Sequence, residues 1–115
     1  MKFYWYPKCS TCVKAHKHLK EMNIELDVKH IVEETPDEDE LKTYIKLYNQ
    51  GIKPFFNTSG KVYKDMNLKE KVGSMSIDEA AHLLASNGML IKRPLLINGH
   101  QIIVGYKKDS YDALS

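Results

Sequence analysis

The sequence predicts an α/β fold: a mixed sheet of about four strands, built as a β-α-β unit followed by a β-hairpin, with a helical block inserted between them. Three observations carry this expectation. An aromatic strand pattern at residues 2–6 runs directly into a helical pattern, and apolar alternation returns at 24–32. Near the end, Asn98-Gly99 stands between Leu95-Leu96-Ile97 and a second apolar run at 100–105, the strongest short hairpin signal in the chain.

Taken in order, Lys-Phe-Tyr-Trp-Tyr suits a strand, and the helix after it places Ala15, Leu19 and Met22 on one face before Asn23 ends it. A helix of about a dozen residues between two strands implies a parallel pair with a right-handed crossover. The acidic run at 33–40 reads as a helix start, not a metal site: Thr35 as N-cap, Pro36 at the first position and Glu38 three residues after the cap. Leu41, Tyr44, Ile45 and Tyr48 then form one buried stripe, which stops at Asn49-Gln50-Gly51. Between 52 and 73 the pattern weakens to an apolar anchor at Pro54-Phe55-Phe56, a loop at 57–60 and a capped turn from Asn67 to Glu70. Ser76 to Glu79 is a second capping box, opening a helix with Ile77, Ala80, Ala81 and Leu84 inward and ending at Asn87-Gly88. A short polar helix around 109–114 closes the chain. This order is the thioredoxin architecture with an insert, so the 115 residues form one domain with a core at about 1–35 and 89–115 and a helical insertion at about 36–88.

Composition narrows the function classes. With 43% hydrophobic and 28% charged residues the chain is ordinary for a globular protein. A net charge of +2 is too mild to imply a nucleic-acid partner. No apolar run nears the roughly 20 residues of a membrane span, and no secretion-type leader is legible, so a cytoplasmic protein without a membrane partner is expected. There two cysteines stay reduced most of the time, and a disulfide between them is transient.

The chemistry centres on Tyr6-Pro7-Lys8-Cys9-Ser10-Thr11-Cys12, which holds both cysteines. Cys9 falls at the helix start, where unpaired N–H groups and the helix dipole favour a thiolate and Lys8 adds positive charge. Cys12 lies one turn further in, within reach for a disulfide, which suits a leading thiolate and a resolving thiol. Two blander readings compete. A zinc half-site lacks a second cysteine pair and has only His16 and His18 to complete it. Two inert buried cysteines fit poorly with a polar, lysine-flanked helix start. Among 17 basic residues Arg93 is the one arginine, the residue type best suited to bidentate oxyanion binding.

The cysteine loop, the stretch Phe-Phe-Asn-Thr-Ser-Gly-Lys-Val-Tyr and the stretch Met-Leu-Ile-Lys-Arg-Pro-Leu-Leu-Ile together resemble the ArsC/Spx family over essentially the whole chain. That resemblance implies a thioredoxin fold with a helical insert and one of two functions: arsenate reduction with glutathione or glutaredoxin, or Spx-type regulation through RNA polymerase with the Cys-x-x-Cys as redox switch. It implies that Cys9 is the nucleophile and that Arg93 lies beside it. It also implies that Pro94 is cis and faces the cysteine loop. Gly51 stands where Spx carries a glycine at its polymerase contact, although a glycine that ends a helix has a local reason to be there.

Departures from the family pattern are informative. Arsenate reductases of this type carry serine then arginine where this chain has Cys12 and Val13, and their second oxyanion arginine would fall near Thr58-Ser59, where none exists. Spx has an arginine at the Val13 position as well. With Arg93 alone, a tetrahedral dianion is poorly stabilised, which argues against arsenate reduction. The expected activity is therefore thiol–disulfide exchange by Cys9 and Cys12, with Lys8, Ser10, Thr11, Arg93 and Pro94 lining the anion or substrate site. No metal or resident cofactor is expected. Glutathione or a thiol/disulfide protein is the expected partner, and an RNA-polymerase-binding redox regulator is the alternative.

Overall fold

The computed structural model describes residues 1–114, and Ser115 lies outside the described residues. Nine regular elements follow one another: β1 Lys2–Trp5, α1 Ser10–Glu21, β2 Asp27–His30, α2 Glu38–Tyr48, α3 Lys61–Asp65, α4 Ile77–Ser86, β3 Leu95–Asn98, β4 Gln101–Val104 and α5 Lys108–Asp112, with short 3-10 turns between them. The sheet order is β2-β1-β3-β4. β1 runs parallel to β2, with Phe3 opposite Val28, and antiparallel to β3, with Phe3 opposite Leu96.

Strand alternation divides the core into two layers. Phe3, Leu96 and Ile103 point to one face, where Ala15 and Leu19 of α1 and Tyr111 and Leu114 at the chain's end cover them. Tyr4, Leu95, Ile97, Ile102 and Val104 point to the other, packed under Leu41, Tyr44 and Ile45 of α2 and Ala80, Ala81 and Leu84 of α4. The helices between β2 and β3 thus close the second face of the sheet. No helix among the described residues is long and apolar enough to cross a membrane.

Four local expectations need correction. β2 is shorter than the apolar alternation at 24–32, because its ladder can extend only as far as the four residues of β1; Ile31 already donates its N–H to the Trp5 carbonyl and turns inward. α2 begins two residues later than expected. Asp37, not Thr35, is the N-cap: Asp37 accepts from the Glu40 N–H at 2.8 Å, and Glu40 Oε1 accepts from the Asp37 N–H at 3.1 Å. Thr35 is committed elsewhere, its hydroxyl donating to the Ile31 and Val32 carbonyls at 2.7 and 2.9 Å.

The hairpin loop is displaced by one residue. Asn98 pairs with Gln101, so Gly99 and His100 form the turn, and Gly99 takes the positive φ of 59°. Around Asn67 the expected cap is a side-chain pair instead, Asn67 Nδ2 donating to Glu70 Oε2 at 2.9 Å, with Asn67 itself left-handed. α3, preceded by polar loop residues, has no strong sequence signal and is held by the buried Tyr63. The Ser76–Glu79 box forms as read, with bonds of 3.0 and 3.1 Å.

Because Asp37 satisfies one orphan N–H and fixes Glu40 over another, Asp37→Ala is expected to lower stability by about 1 kcal/mol. A urea unfolding midpoint that drops without a change in slope checks this, and Thr35→Ala separates the turn at 31–35 from the cap.

Candidate functional site

The cysteine loop is fixed at both ends by backbone. Cys9 donates its N–H to the Tyr6 carbonyl at 2.9 Å, and its own carbonyl accepts from Val13 at 3.1 Å, so Cys9 becomes the N-cap residue of α1 with φ −91° and ψ 118°. No acidic residue occupies the first turn of α1, which leaves the positive end of the helix uncompensated beneath the Cys9 sulfur. Ala15 and Leu19 anchor the buried stripe of α1, and Cys12 shares that inward face and is fully buried, whereas Cys9 is half-buried. Both thiols are free.

Their ionisation is driven apart. Partial burial alone pushes the Cys9 thiol up, but this is outweighed by the Cys12 N–H, the Cys12 thiol, the Arg93 charge and the Thr11 N–H, so its pKa lies below the ordinary value. Burial dominates at Cys12 and, together with the neighbouring Cys9 sulfur, pushes that thiol up to about 12 although the Tyr6 N–H approaches Sγ at 3.5 Å. The arrangement is an outer thiol more acidic than an ordinary cysteine facing an inner thiol that holds its proton more tightly.

Arg93 arrives on the segment that leads into β3, the strand paired with β1. The preceding chain is tied down where Lys92 donates to the Phe55 carbonyl at 2.8 Å and Phe56 bridges Ile91. The Arg93-Pro94 peptide bond is cis, and Pro94 is buried. The guanidinium lies over the Tyr6 ring, with Cζ 5.2 Å from its centroid. Its Nε and Nη1 are buried without a hydrogen-bond partner among the described residues. Unpaired buried donors of this kind are costly unless an anion or water meets them, and the Arg93 charge acts on the Cys9 thiol.

The structure brings Cys9, Cys12, Thr11 and Arg93 together, and Pro94 follows Arg93 through the cis bond. Ser10 and Thr11 expose their side chains on the first turn of α1, so what Thr11 offers Cys9 is its backbone N–H. Lys8 is exposed in the turn before Cys9, and the positive charge acting on the sulfur comes from Arg93. Neither Tyr6 nor His30 is among the residues that the sequence assigns to the site. In the structure the two rings meet edge to face at 5.6 Å, and both border a groove of about 460 Å³ beside the cysteine loop, with Pro7, Val32 and Met89. The position of Tyr6 between a strand end and Cys-x-x-Cys was the available signal.

The two histidines weighed as zinc ligands serve elsewhere. His16 stacks on Trp5 at 4.8 Å, and His18 bridges the Tyr106 hydroxyl at 2.6 Å and Asp112 at 2.7 Å. Among the described residues no group of three or more His, Cys, Asp or Glu side chains is placed to hold a metal ion.

Comparison with known proteins places this geometry. The uncharacterized protein YusI of Bacillus subtilis is 51% identical over 110 residues, covering 96% of this chain and 93% of YusI. The regulatory protein MgsR of the same organism is 34% identical over 104 residues, covering 90% of this chain and 81% of MgsR. The crystal structure of an ArsC family related protein from Bacteroides fragilis superposes with a TM-score of 0.92 at 45% identity, covering 96% of this chain and 93% of that one, and the fold is accordingly the thioredoxin-like ArsC fold. The model of the ArsC family matches residues 4–114, and the chain belongs to that family.

Proposed function

We propose that the protein is a thiol–disulfide oxidoreductase in which Cys9 attacks and Cys12 resolves. The observation that carries this reading is a half-buried Cys9 at the N-cap of α1, with no acidic residue in the first turn, beside a fully buried Cys12, an arrangement that lowers the outer thiol and raises the inner one. A Cys9 thiolate attacks one sulfur of a substrate disulfide, forming a Cys9–substrate mixed disulfide and releasing the other sulfur as thiolate. That leaving thiolate takes up a proton. Cys12 then loses its proton and attacks the Cys9 sulfur, giving the Cys9–Cys12 disulfide and the second substrate thiolate. The substrate gains two electrons, and a dithiol protein or two molecules of glutathione return them to the pair.

Arg93 supports the anionic states: its two unpaired donors suit a thiolate or a glutathione carboxylate. Lys8, Ser10 and Thr11 edge the approach, and Pro94 bounds it. The geometry favours exchange over arsenate reduction, since one guanidinium with helix N–H groups offers limited stabilisation to a tetrahedral dianion. A reducing, cytoplasmic setting belongs to the same reading.

Cys12→Ser tests it. Without the resolving thiol, the Cys9 mixed disulfide is expected to accumulate roughly tenfold or more over the parent protein, visible by mass spectrometry after acid quenching. Equal and negligible adduct in both proteins rejects the reading.

A second reading, a redox-governed regulator docking on RNA polymerase, draws support from the 34% identity to the regulatory protein MgsR. It expects polymerase capture that depends on the oxidation state of Cys9 and Cys12, with no multiple turnover of small disulfides.

A further inference from the structure

Tyr6 meets Cys9, Cys12 and Arg93. Its carbonyl accepts from the Cys9 N–H at 2.9 Å, its N–H approaches Cys12 Sγ at 3.5 Å, and its ring lies under the Arg93 guanidinium at 5.2 Å. The two backbone contacts are open to any residue type, so the identity of the side chain matters only for the ring. That ring has a specific task available. With Nε and Nη1 of Arg93 lacking partners among the described residues, desolvation of these donors favours swinging the guanidinium out towards water. Among the described residues no carboxylate pairs with Arg93, and the aromatic face supplies an attraction that opposes the swing.

The ring is itself braced. His30 meets it edge to face at 80°, and His30 Nδ1 accepts from the N–H groups of Val32 and Glu33 at 3.1 and 3.2 Å, which pins the imidazole to the turn after β2. A chain of contacts therefore runs from the exit of β2 through His30 and Tyr6 to Arg93.

We propose that Tyr6 is a positioning residue whose ring holds the Arg93 guanidinium at the Cys9 sulfur, braced from behind by His30. The inference rests on the redox reading of Cys9. It makes the charge felt by Cys9 depend on a neutral side chain, and it sets Tyr6→Phe, which keeps the aromatic face, apart from Tyr6→Leu, which keeps apolar bulk and loses it.

The thiolate titration of Cys9, followed by ultraviolet absorbance, tests this in the parent protein, Tyr6→Phe and Tyr6→Leu, each with Arg93 present and with Arg93→Ala. Tyr6→Leu is expected to titrate about half a pH unit higher, a roughly threefold loss of thiolate below the midpoint, while Tyr6→Phe matches the parent. In the Arg93→Ala background, Tyr6→Leu is expected to add nothing. A Tyr6→Leu midpoint equal to the parent's, or a shift that persists undiminished without Arg93, overturns the positioning role; the second result is what mere packing gives. A parent protein whose Cys9 titrates like free cysteine overturns the redox reading instead.

A second measurement needs no variant. Arg93 is the one arginine of the chain, so its Nε–H gives a single assignable resonance, expected upfield of a free arginine through the ring current of Tyr6. An unshifted resonance overturns the proposal.

Discussion

Cys9→Ser is expected to abolish labelling of the native protein by iodoacetamide and to cut disulfide exchange by roughly a thousandfold or more, the scale seen when a nucleophile is removed from a catalytic unit. The parent protein should take up one label per chain, at Cys9. The reasons are physical: alkylation follows the thiolate, and Cys9 is half-buried with its pKa lowered by the surrounding N–H groups, the Cys12 thiol and Arg93. Cys12 is shielded twice, by full burial and by a thiol pushed up to about 12.

The sign of the pH dependence follows. A lowered pKa shifts the rise in labelling rate to lower pH, so the midpoint should fall below that of free cysteine, and a larger fraction of Cys9 is reactive at neutrality. A midpoint at or above the free value, or labelling of Cys12 at a comparable rate, contradicts the assignment of roles. Exchange surviving in Cys9→Ser would do so more directly.

Gly88→Ala is expected to produce the largest loss of stability, about 3 kcal/mol or more, through overpacking against backbone. A Cβ at Gly88 would lie 2.1 Å from the Ile31 carbonyl oxygen, 2.8 Å from its carbon and 2.9 Å from Thr35 Oγ1. Flexible side-chain ends can yield to such a contact; a carbonyl cannot. The Ile31 carbonyl is also held in place, accepting the Thr35 hydroxyl at 2.7 Å in the turn that leaves β2. Relief therefore requires the segment before β3 to move away from that turn. Gly73 has open space around it and no positive φ, so Gly73→Ala should fall within about 0.5 kcal/mol of the parent. Urea unfolding of the two variants side by side checks the pair, and a Gly88→Ala protein as stable as Gly73→Ala rejects the packing explanation.

Much of the fold was legible because local chemistry and burial agree along the chain. Phe3 and Tyr4 alternate onto opposite faces, Leu41, Tyr44 and Ile45 share one helical stripe, and Ser76 with Glu79 closes a capping box as written. Legibility failed where two nearby residues offered equivalent chemistry. Thr35 and Asp37 are both good caps, and the choice fell to Asp37 once the Thr35 hydroxyl was taken by the Ile31 and Val32 carbonyls. Asn98-Gly99 marked the hairpin, yet cross-strand pairing of Asn98 with Gln101 moved the turn by one residue, keeping Leu96 and Ile103 on the same face.

The sequence by itself determined that the chain is an α/β domain of the ArsC type with a cysteine at a helix start and a second one turn later. The elements and the cysteine spacing are short-range facts, fixed by periodicity, caps and turn signals, and the ArsC type came from the resemblance of three separate stretches to that family. Only the tertiary structure decided how the two thiols differ, because the burial of Cys12 and the nearness of Arg93 depend on segments far apart in the chain, Arg93 entering just before β3, the strand that pairs with β1. Electric fields and desolvation act through space, so the properties of Cys9 cannot be read from its neighbours in the chain alone.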